Sequence, residues 1–331
     1  MKGFFPTTTG YAAGVLLVMV ILGSSSCTTG VNYSQSLFNH IPADPELLVL
    51  VRPNDLTKLL EVSVEELDLS TLFDNRLDID TKDIQRYKQL LSDTLEAVGI
   101  PWPKVESVGF MVYLEKPVVL ISGEFTQQAI VDKMTELGFK QRANGYFDYV
   151  YDKMKVHVPA DGLIMMGEND MLEFLMLVPD EQRLWNRPDF AEYRRVTPLD
   201  NSLFVWSVPP KNFLNDFEHR DQLSNVSLAM NVKNNVTLNV AVRLKTSQHA
   251  TYLYDVVFGF VSLGRGIFGS DPELGPLMKS LQIRQEKASV VTTLVVPASQ
   301  LPAIKDRLIK ELDSQESPTL SKLKNFLDGL N

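Results

Sequence analysis

The stretch PADPELLVLVRP at residues 42–53 decides the fold, because PLDNSLFVWSVP at residues 198–209 repeats its pattern 156 residues later. Each copy has a turn-forming start, an apolar run of strand length and a closing proline, which has no amide hydrogen to continue a sheet ladder. A stretch with helical character follows each copy. The aligned positions are Pro42/Pro198, Asp44/Asp200, Leu47/Leu203, Leu48/Phe204, Val49/Val205 and Pro53/Pro209. The repeat indicates two related units, although recurrent strand–turn–helix chemistry would also produce it.

The same strand-then-helix pattern returns at residues 117–138, 235–263 and 289–313, with hairpin-like stretches between. Alternation of apolar and polar residues predicts antiparallel strands, and the 3.6-residue period of the following stretches predicts amphipathic helices. This mixture predicts an α+β fold of two related units, each a mainly antiparallel sheet with helices packed on one face. The predicted units are residues 38–196 and 197–331.

A glycine-rich stretch, LGRGIFGSDPELG, lies at residues 263–275. It lacks the Lys-Ser/Thr pair of a phosphate-binding loop and follows a helical pattern rather than a strand, so a nucleotide site is not expected. Glycine is typical of helix C-termini. We therefore predict that the long helix starting at Ser247 ends near Leu263.

The composition indicates a folded, acidic globular protein. Hydrophobic residues make up 44% of the chain and charged residues 22%, and the net charge is −9. A chain of about 300 residues usually forms two cores. Its acidity argues against electrostatic binding to nucleic acid or to an anionic lipid surface. Cys27 is the only cysteine, so no intramolecular disulfide can support the fold.

The N-terminal segment has the pattern of an export signal. YAAGVLLVMVIL at residues 11–22 is a short apolar run, and the small residues GSSSC follow it. Twelve helical residues reach about 18 Å, well short of the roughly 30 Å hydrocarbon core of a bilayer. The segment is therefore expected to direct export and not to span a membrane.

Cys27, directly after Ser24-Ser25-Ser26, resembles the acceptor cysteine of a bacterial lipoprotein signal. The resemblance implies a signal peptide at residues 1–26 and a mature chain beginning at Cys27 with two or three acyl chains such as palmitate, enough for stable anchoring. Residues 27–37 would be the lipidated cysteine and a polar tether. Thr28 rather than Asp follows the cysteine, and by resemblance to Gram-negative sorting rules this implies the outer membrane. The alternative is an ordinary secretory signal with a chance cysteine.

Short motifs in the rest of the chain resemble an uncharacterised family of envelope lipoproteins. They are Pro42-Ala43-Asp44, residues 49–53, Arg187-Pro188-Asp189-Phe190 and residues 203–209. That family is a domain of unknown function, so the resemblance implies an envelope location and transfers no catalytic or binding residues.

The histidines and carboxylates give no metal or catalytic pattern. His40, His157, His219 and His249 lack ligand spacing, so each is expected at a surface or sheet edge, with His157 on the more polar strand face. The best carboxylate cluster comprises Asp78, Asp80 and Asp83. A calcium loop would need a glycine and a bidentate carboxylate that do not follow, so capping of a helix start is the favoured interpretation.

These patterns predict a non-catalytic, lipid-anchored protein of the cell envelope. Its expected partner is an envelope protein or polymer and not nucleic acid. Cys27 is the predicted lipid attachment site, and no cofactor is expected. Aromatic residues at Tyr146, Phe147, Tyr149, Tyr151, Trp185 and Trp206 could form a binding surface, but core packing is the favoured interpretation. Two alternatives stay open: an exported hydrolase with an unrecognised active site, and a periplasmic ligand-binding protein.

Overall fold

The computed structural model describes residues 35–55, 95–96, 98–114, 116–141, 146–148, 154–196, 199, 201–208, 220–232, 235–272, 274–297 and 300. The strands are β1 (Leu47–Val51), β2 (Val105–Tyr113), β3 (Lys116–Gly123), β4 (Tyr146–Asp148), β5 (Met154–Ala160), β6 (Leu163–Glu168), β7 (Leu203–Ser207), β8 (Leu223–Val232), β9 (Asn235–Leu244), β10 (Gln282–Glu286) and β11 (Ser289–Pro297). The α-helices are α1 (Gln35–Phe38), α2 (Gln127–Glu136), α3 (Asn169–Leu177), α4 (Pro188–Val196), α5 (Ser247–Phe268) and α6 (Leu274–Ser280).

Within these residues, eleven strands form one sheet in the order β10-β11-β9-β8-β7-β1-β2-β3-β6-β5-β4. Every pair of neighbouring strands is antiparallel. The predicted α+β class with a mainly antiparallel sheet is therefore confirmed.

The two similar sequence stretches lie side by side at the centre of the sheet. They supply β1 and β7, which pair with Val49 opposite Val205, the same two residues that the sequence comparison aligns. Outward from this pair, the order β1-β2-β3-β6-β5 in one half matches β7-β8-β9-β11-β10 in the other. The unit boundary at residues 196/197 and an origin by duplication stay predictions.

Helices cover both faces of this sheet, whereas the sequence predicted them on one. On the first face, Leu48, Leu50, Phe204 and Trp206 belong to a core cluster with residues of α1, α3 and α4. On the second face, α2 packs near one end of the sheet, and α5 and α6 pack near the other. The second layer is needed because β1 and β7 carry apolar side chains at successive positions, so both of their faces must be buried.

An aromatic cluster on the first face holds α1 and α4 against the central strand β7. The ring centres of Phe38 and Phe190 are 5.0 Å apart, those of Phe190 and Trp206 are 5.2 Å apart, and those of Tyr193 and Phe204 are 5.8 Å apart. Offset and edge-to-face pairs at these distances are favourable. Helix α1 is therefore fixed to the centre of the molecule.

Helix α5 runs further than predicted, to Phe268, with Gly264 and Gly266 inside it. Each glycine in a helix interior costs about 1 kcal/mol relative to alanine. The Arg265 guanidinium donates to the carbonyl oxygens of Met278, at 2.9 Å, and of Leu281, at the end of α6. These tertiary contacts hold the last turn of α5 in place, and they could not be predicted from local sequence.

Candidate functional site

The predicted lipid attachment site, Cys27, lies outside the described residues, as do the signal peptide and most of the tether; the described chain begins at Gln35. The other sequence candidates outside the described residues are Asp78, Asp80, Asp83, Tyr149, Tyr151 and His219. The anchor and the carboxylate cluster therefore stay predictions.

His157 is buried, so its predicted place at a surface or sheet edge is wrong. Its side chain is 5% exposed, and Nε2 lies 3.0 Å from the Met176 sulfur on α3. The side chain does lie on the strand face opposite its valine neighbours, but α3 covers that face. His249 is near the start of α5, with Nδ1 2.8 Å from the Thr246 hydroxyl. No cluster of three metal-ligating side chains occurs in the described part of the chain.

Three aromatic residues that were candidates for a binding surface contribute to the core instead. Phe147 and Trp206 are fully buried. Trp185 is half-buried and packs beneath the Arg194 guanidinium, whose central carbon is 3.6 Å from the ring centre. This agrees with the core-packing interpretation for these three residues.

Two of the motifs that carry the family resemblance contact each other through Arg187. Its guanidinium pairs with the Asp44 carboxylate and donates to the Ala43 carbonyl at 3.0 Å and to Asp189 Oδ1 at 2.5 Å. Asp189 is buried, and its other oxygen accepts from Asn225 Nδ2 at 2.9 Å. The motifs thus join the segment before β1, the start of α4 and strand β8, which is a structural role.

A small pocket of about 190 Å³ lies between α4 and strands β8, β9 and β11. Lys287 Nζ donates to Glu192 in this pocket at 2.6 Å, and Arg243 donates to the other oxygen of the same carboxylate. These two partners, Lys287 first, hold the pKa of Glu192 below its ordinary value. The lining residues are Asp189, Glu192, Tyr193, Arg195, Asn225, Ala241, Arg243, Glu286, Lys287, Ser289 and Val291.

The chemistry of this pocket is that of an ion-pair network. The lining contains three acidic and three basic residues. A general base at neutral pH needs a carboxylate with a raised pKa, whereas the pKa of Glu192 is lowered. Cavities that bind drug-sized ligands are larger, at about 300–1,000 Å³. The pocket could admit only a small polar ligand that competes with existing ion pairs.

Of the eleven large hydrophobic side chains that are exposed among the described residues, six lie on α5. We call Tyr252, Val256, Phe260, Leu263 and Ile267 the apolar stripe. Their spacing of three or four residues places them on one side of the helix. Phe260, Leu263 and Ile267 are 71%, 64% and 69% exposed. Tyr252 is also exposed, whereas Val256 is half-buried.

A neighbouring side of α5 fixes this stripe in place. Ala250, Leu253 and Tyr254 pack in a cluster that includes Leu244 and Val290 of the sheet. The helix is thus apolar on two sides, one buried and one exposed. The sequence of α5 contains more apolar residues than one buried helix face needs, which indicates an exposed apolar side. Periodicity alone could not say which side the sheet covers.

The fold gives no packing reason for two glycines of α5. A Cβ added to Gly259 or Gly266 would meet no atom within 4 Å.

No described helix has the length and hydropathy needed to cross a bilayer.

The charge around α5 differs from that of the whole protein. Residues 245–297 contain five basic and four acidic residues, a net charge of +1 within a chain of net charge −9. The acidic excess therefore lies elsewhere in the chain.

A second, smaller exposed patch lies around α3. Leu114 is 56% and Leu177 is 80% exposed, and Phe174 stacks on Tyr113 with ring centres 5.6 Å apart.

No protein-family model and no curated protein sequence matches this chain. Among solved structures, it is similar to TP0453 in crystal form III, with a TM-score of 0.40 and 11% identity over 81% of this chain and 96% of that chain. Crystal form IV gives a TM-score of 0.40 and 10% identity over 81% and 95%. Crystal form I gives 0.39 and 11% over 82% and 96%. These are weak structural resemblances at low identity.

Proposed function

We propose that this chain is a non-catalytic, lipid-anchored protein of the cell envelope that binds a partner through the apolar stripe of α5. Cys27 carries the anchor, and the acyl chains hold the folded body beside a membrane, most consistently the outer membrane. The stripe is the observation that carries the binding role.

The energetic support comes from the exposure of the stripe. Leaving large apolar side chains in water forgoes about 1.5–3 kcal/mol for each one that could be fully buried. Three side chains of the stripe are each more than 60% exposed, on a helix whose other side is packed. A partner that covers them recovers this free energy, so the stripe has a physical reason to bind.

The hydrolase and the ligand-binding protein have weaker support. The pocket beside α4 brings acidic and basic groups together, but its carboxylate Glu192 already accepts from Lys287 and Arg243. A nucleophile would need a neighbouring base to activate it, and a ligand would have to displace these partners.

The anchor is tested by feeding cells a fatty-acid probe and measuring the intact mass of the purified protein. Wild type should carry the probe and begin at Cys27, and Cys27→Ser should lose both the probe and membrane retention. An unmodified wild-type protein would refute the anchor.

The binding role is tested separately by placing a photo-crosslinking residue at position 263, on the stripe, or at position 181, an exposed site on another face. We expect adducts in intact cells from position 263 and few from position 181. Equal yields from both positions would refute a binding role for the stripe.

A further inference from the structure

The predicted tether is short. Seven residues lie between Cys27 and Gln35, where the described chain begins, so the two are eight Cα–Cα steps apart. An extended chain spans at most about 3.3–3.6 Å per residue, so this segment reaches no more than roughly 29 Å. In an anchored protein, Gln35 therefore lies within roughly 29 Å of the acylated cysteine. Exposed apolar side chains of the folded body then meet lipid at a high effective concentration.

The shape of α5 suits a helix that lies in a membrane surface. Its 22 residues give a length of about 33 Å, and it does not have the properties of a spanning helix. At 100° per residue, the polar residues Thr251, Asp255 and Ser262 lie about a third of a turn from the apolar stripe. Phe258, which is 47% exposed, lies on the same side as these three. Interfacial helices place such an apolar side about 5–10 Å into the headgroup and acyl boundary and leave the polar side in water.

The charge of this region permits the contact. A chain of net charge −9 would be repelled as a whole by an anionic surface, but residues 245–297 carry +1. The stripe itself has no charged side chain. Contact with lipid through this helix would thus depend on apolar burial and only weakly on salt or on anionic lipid.

We infer that the apolar stripe of α5 docks on the bilayer that holds the acyl chains of Cys27, with α5 parallel to the membrane surface. This inference rests on the proposed lipid anchor and names the partner of the same stripe as lipid. It gives the protein two attachments, one covalent and one through the fold. Because α1 lies on the first face of the sheet and α5 on the second, the tether then has to pass around the sheet, with the second face turned toward the membrane.

The chain allows a clean test with a single fluorophore. Once Cys27 is acylated, the protein has no other thiol, so Leu263→Cys on the stripe and Ser262→Cys one residue away can each be labelled. The labelled proteins are reconstituted in phosphatidylcholine vesicles. We expect the label at position 263 to be quenched by a lipid-borne quencher and protected from iodide, and the label at position 262 to show the reverse.

Other outcomes overturn the inference and say why. Equal access of iodide to both labels would leave the stripe in water. Protection of position 263 from both quenchers that is lost on dilution would assign the stripe to a second copy of the chain. The same protection at every dilution would assign it to another segment of this chain.

A variant series tests whether the stripe supplies the affinity. Each large apolar side chain removed from the interface is worth roughly tenfold in the docked-to-undocked ratio. Phe260→Ser/Leu263→Ser/Ile267→Ser, with the label at Val256→Cys, should lower that ratio at least about a hundredfold. Leu114→Ser/Leu177→Ser, with the same label, removes exposed apolar side chains elsewhere and should leave it unchanged. Equal ratios in the two variants would refute the inference.

Failure of the anchor would be recognised independently in these experiments. A protein without acyl chains shows the unmodified mass and takes up a second fluorophore at Cys27. A protein with full acylation and a water-exposed stripe keeps the proposed anchor and contradicts only the docking.

Discussion

Arg187 shows how a short sequence motif can be a structural device. The motifs at residues 42–44 and 187–190 are far apart in the chain, yet one guanidinium joins Asp44, Ala43 and Asp189. The side chain of Asp189 is 9% exposed, and Arg187 pairs with it. Removing one member of a buried pair leaves the other charge uncompensated.

We expect Arg187→Ala to lower the free energy of unfolding by about 2–4 kcal/mol, because it leaves the buried Asp189 carboxylate without its cationic partner. Urea denaturation measures the change. Arg195→Ala is the matched control on the same helix, where the side chain is exposed, and should change the free energy by less than about 0.5 kcal/mol. Similar losses in both variants would contradict the structural role of Arg187.

Glu192 gives a prediction about pH. Hydrogen bonds from Lys287 and then Arg243 lower its pKa below the ordinary value of 4.5. A lowered pKa in the folded state means that the contribution is fully present above pH 4.5 and is lost as the pH falls through the folded value. The stability difference between wild type and Glu192→Gln should therefore shrink as the pH falls below 4.5.

Denaturation curves at a series of pH values between neutral and acid measure this difference. Glu181→Gln, at an exposed carboxylate, controls for the loss of a negative charge and should follow the wild-type profile. If the difference in free energy of unfolding between wild type and Glu192→Gln stayed constant over the series, the charge of Glu192 would contribute nothing to stability.

At the scale of elements, helix α5 separates what local sequence can predict from what it cannot. Its start after Thr246 was predictable, since that hydroxyl accepts from the His249 amide as an N-cap. Its end was not, because Arg265 reaches carbonyl oxygens of another helix. The same limit applies to His157, whose burial depends on α3, and to the exposed side of α5, which depends on where the sheet lies.

The glycines of α5 give a prediction at this scale. Gly259→Ala and Gly266→Ala should each raise the free energy of unfolding by about 0.5–1 kcal/mol, because the added methyl meets open space and alanine favours the helix. Gly269→Ala at the helix end should destabilise, since its Cβ would approach the Arg265 carbonyl oxygen and force the backbone to shift. Thermal denaturation of the three variants measures the sign, and a loss of stability in the first two would contradict this account of the helix surface.

At the scale of the whole molecule, the centre of the sheet joins both halves. Most strands could be predicted from alternation and closing prolines, but no prediction covered β2 or β10. The pairing of β1 with β7 depends on contacts between residues far apart in the chain. Leu50 lies opposite Phe204 in this pair, and both are fully buried. Phe38 of α1 packs on Phe204 with ring centres 5.9 Å apart. The helix that follows the predicted tether is therefore attached to the strand pair on which both halves depend.

This arrangement predicts that the sheet opens as one cooperative unit. Phe204→Ala should cost about 3–5 kcal/mol, because it leaves a cavity between β7, α1 and α4. Native-state hydrogen exchange should then show faster exchange in β2 and β3 as well as in β8 and β9, since both halves depend on the β1–β7 pair. Val156→Ala in β5, which is also buried but near one end of the sheet, should accelerate exchange mainly in β4, β5 and β6. If Phe204→Ala affected only β7 and its neighbour β8, the two halves would be independent, and a tether fixed to α1 would not hold α5 in a defined orientation to the membrane.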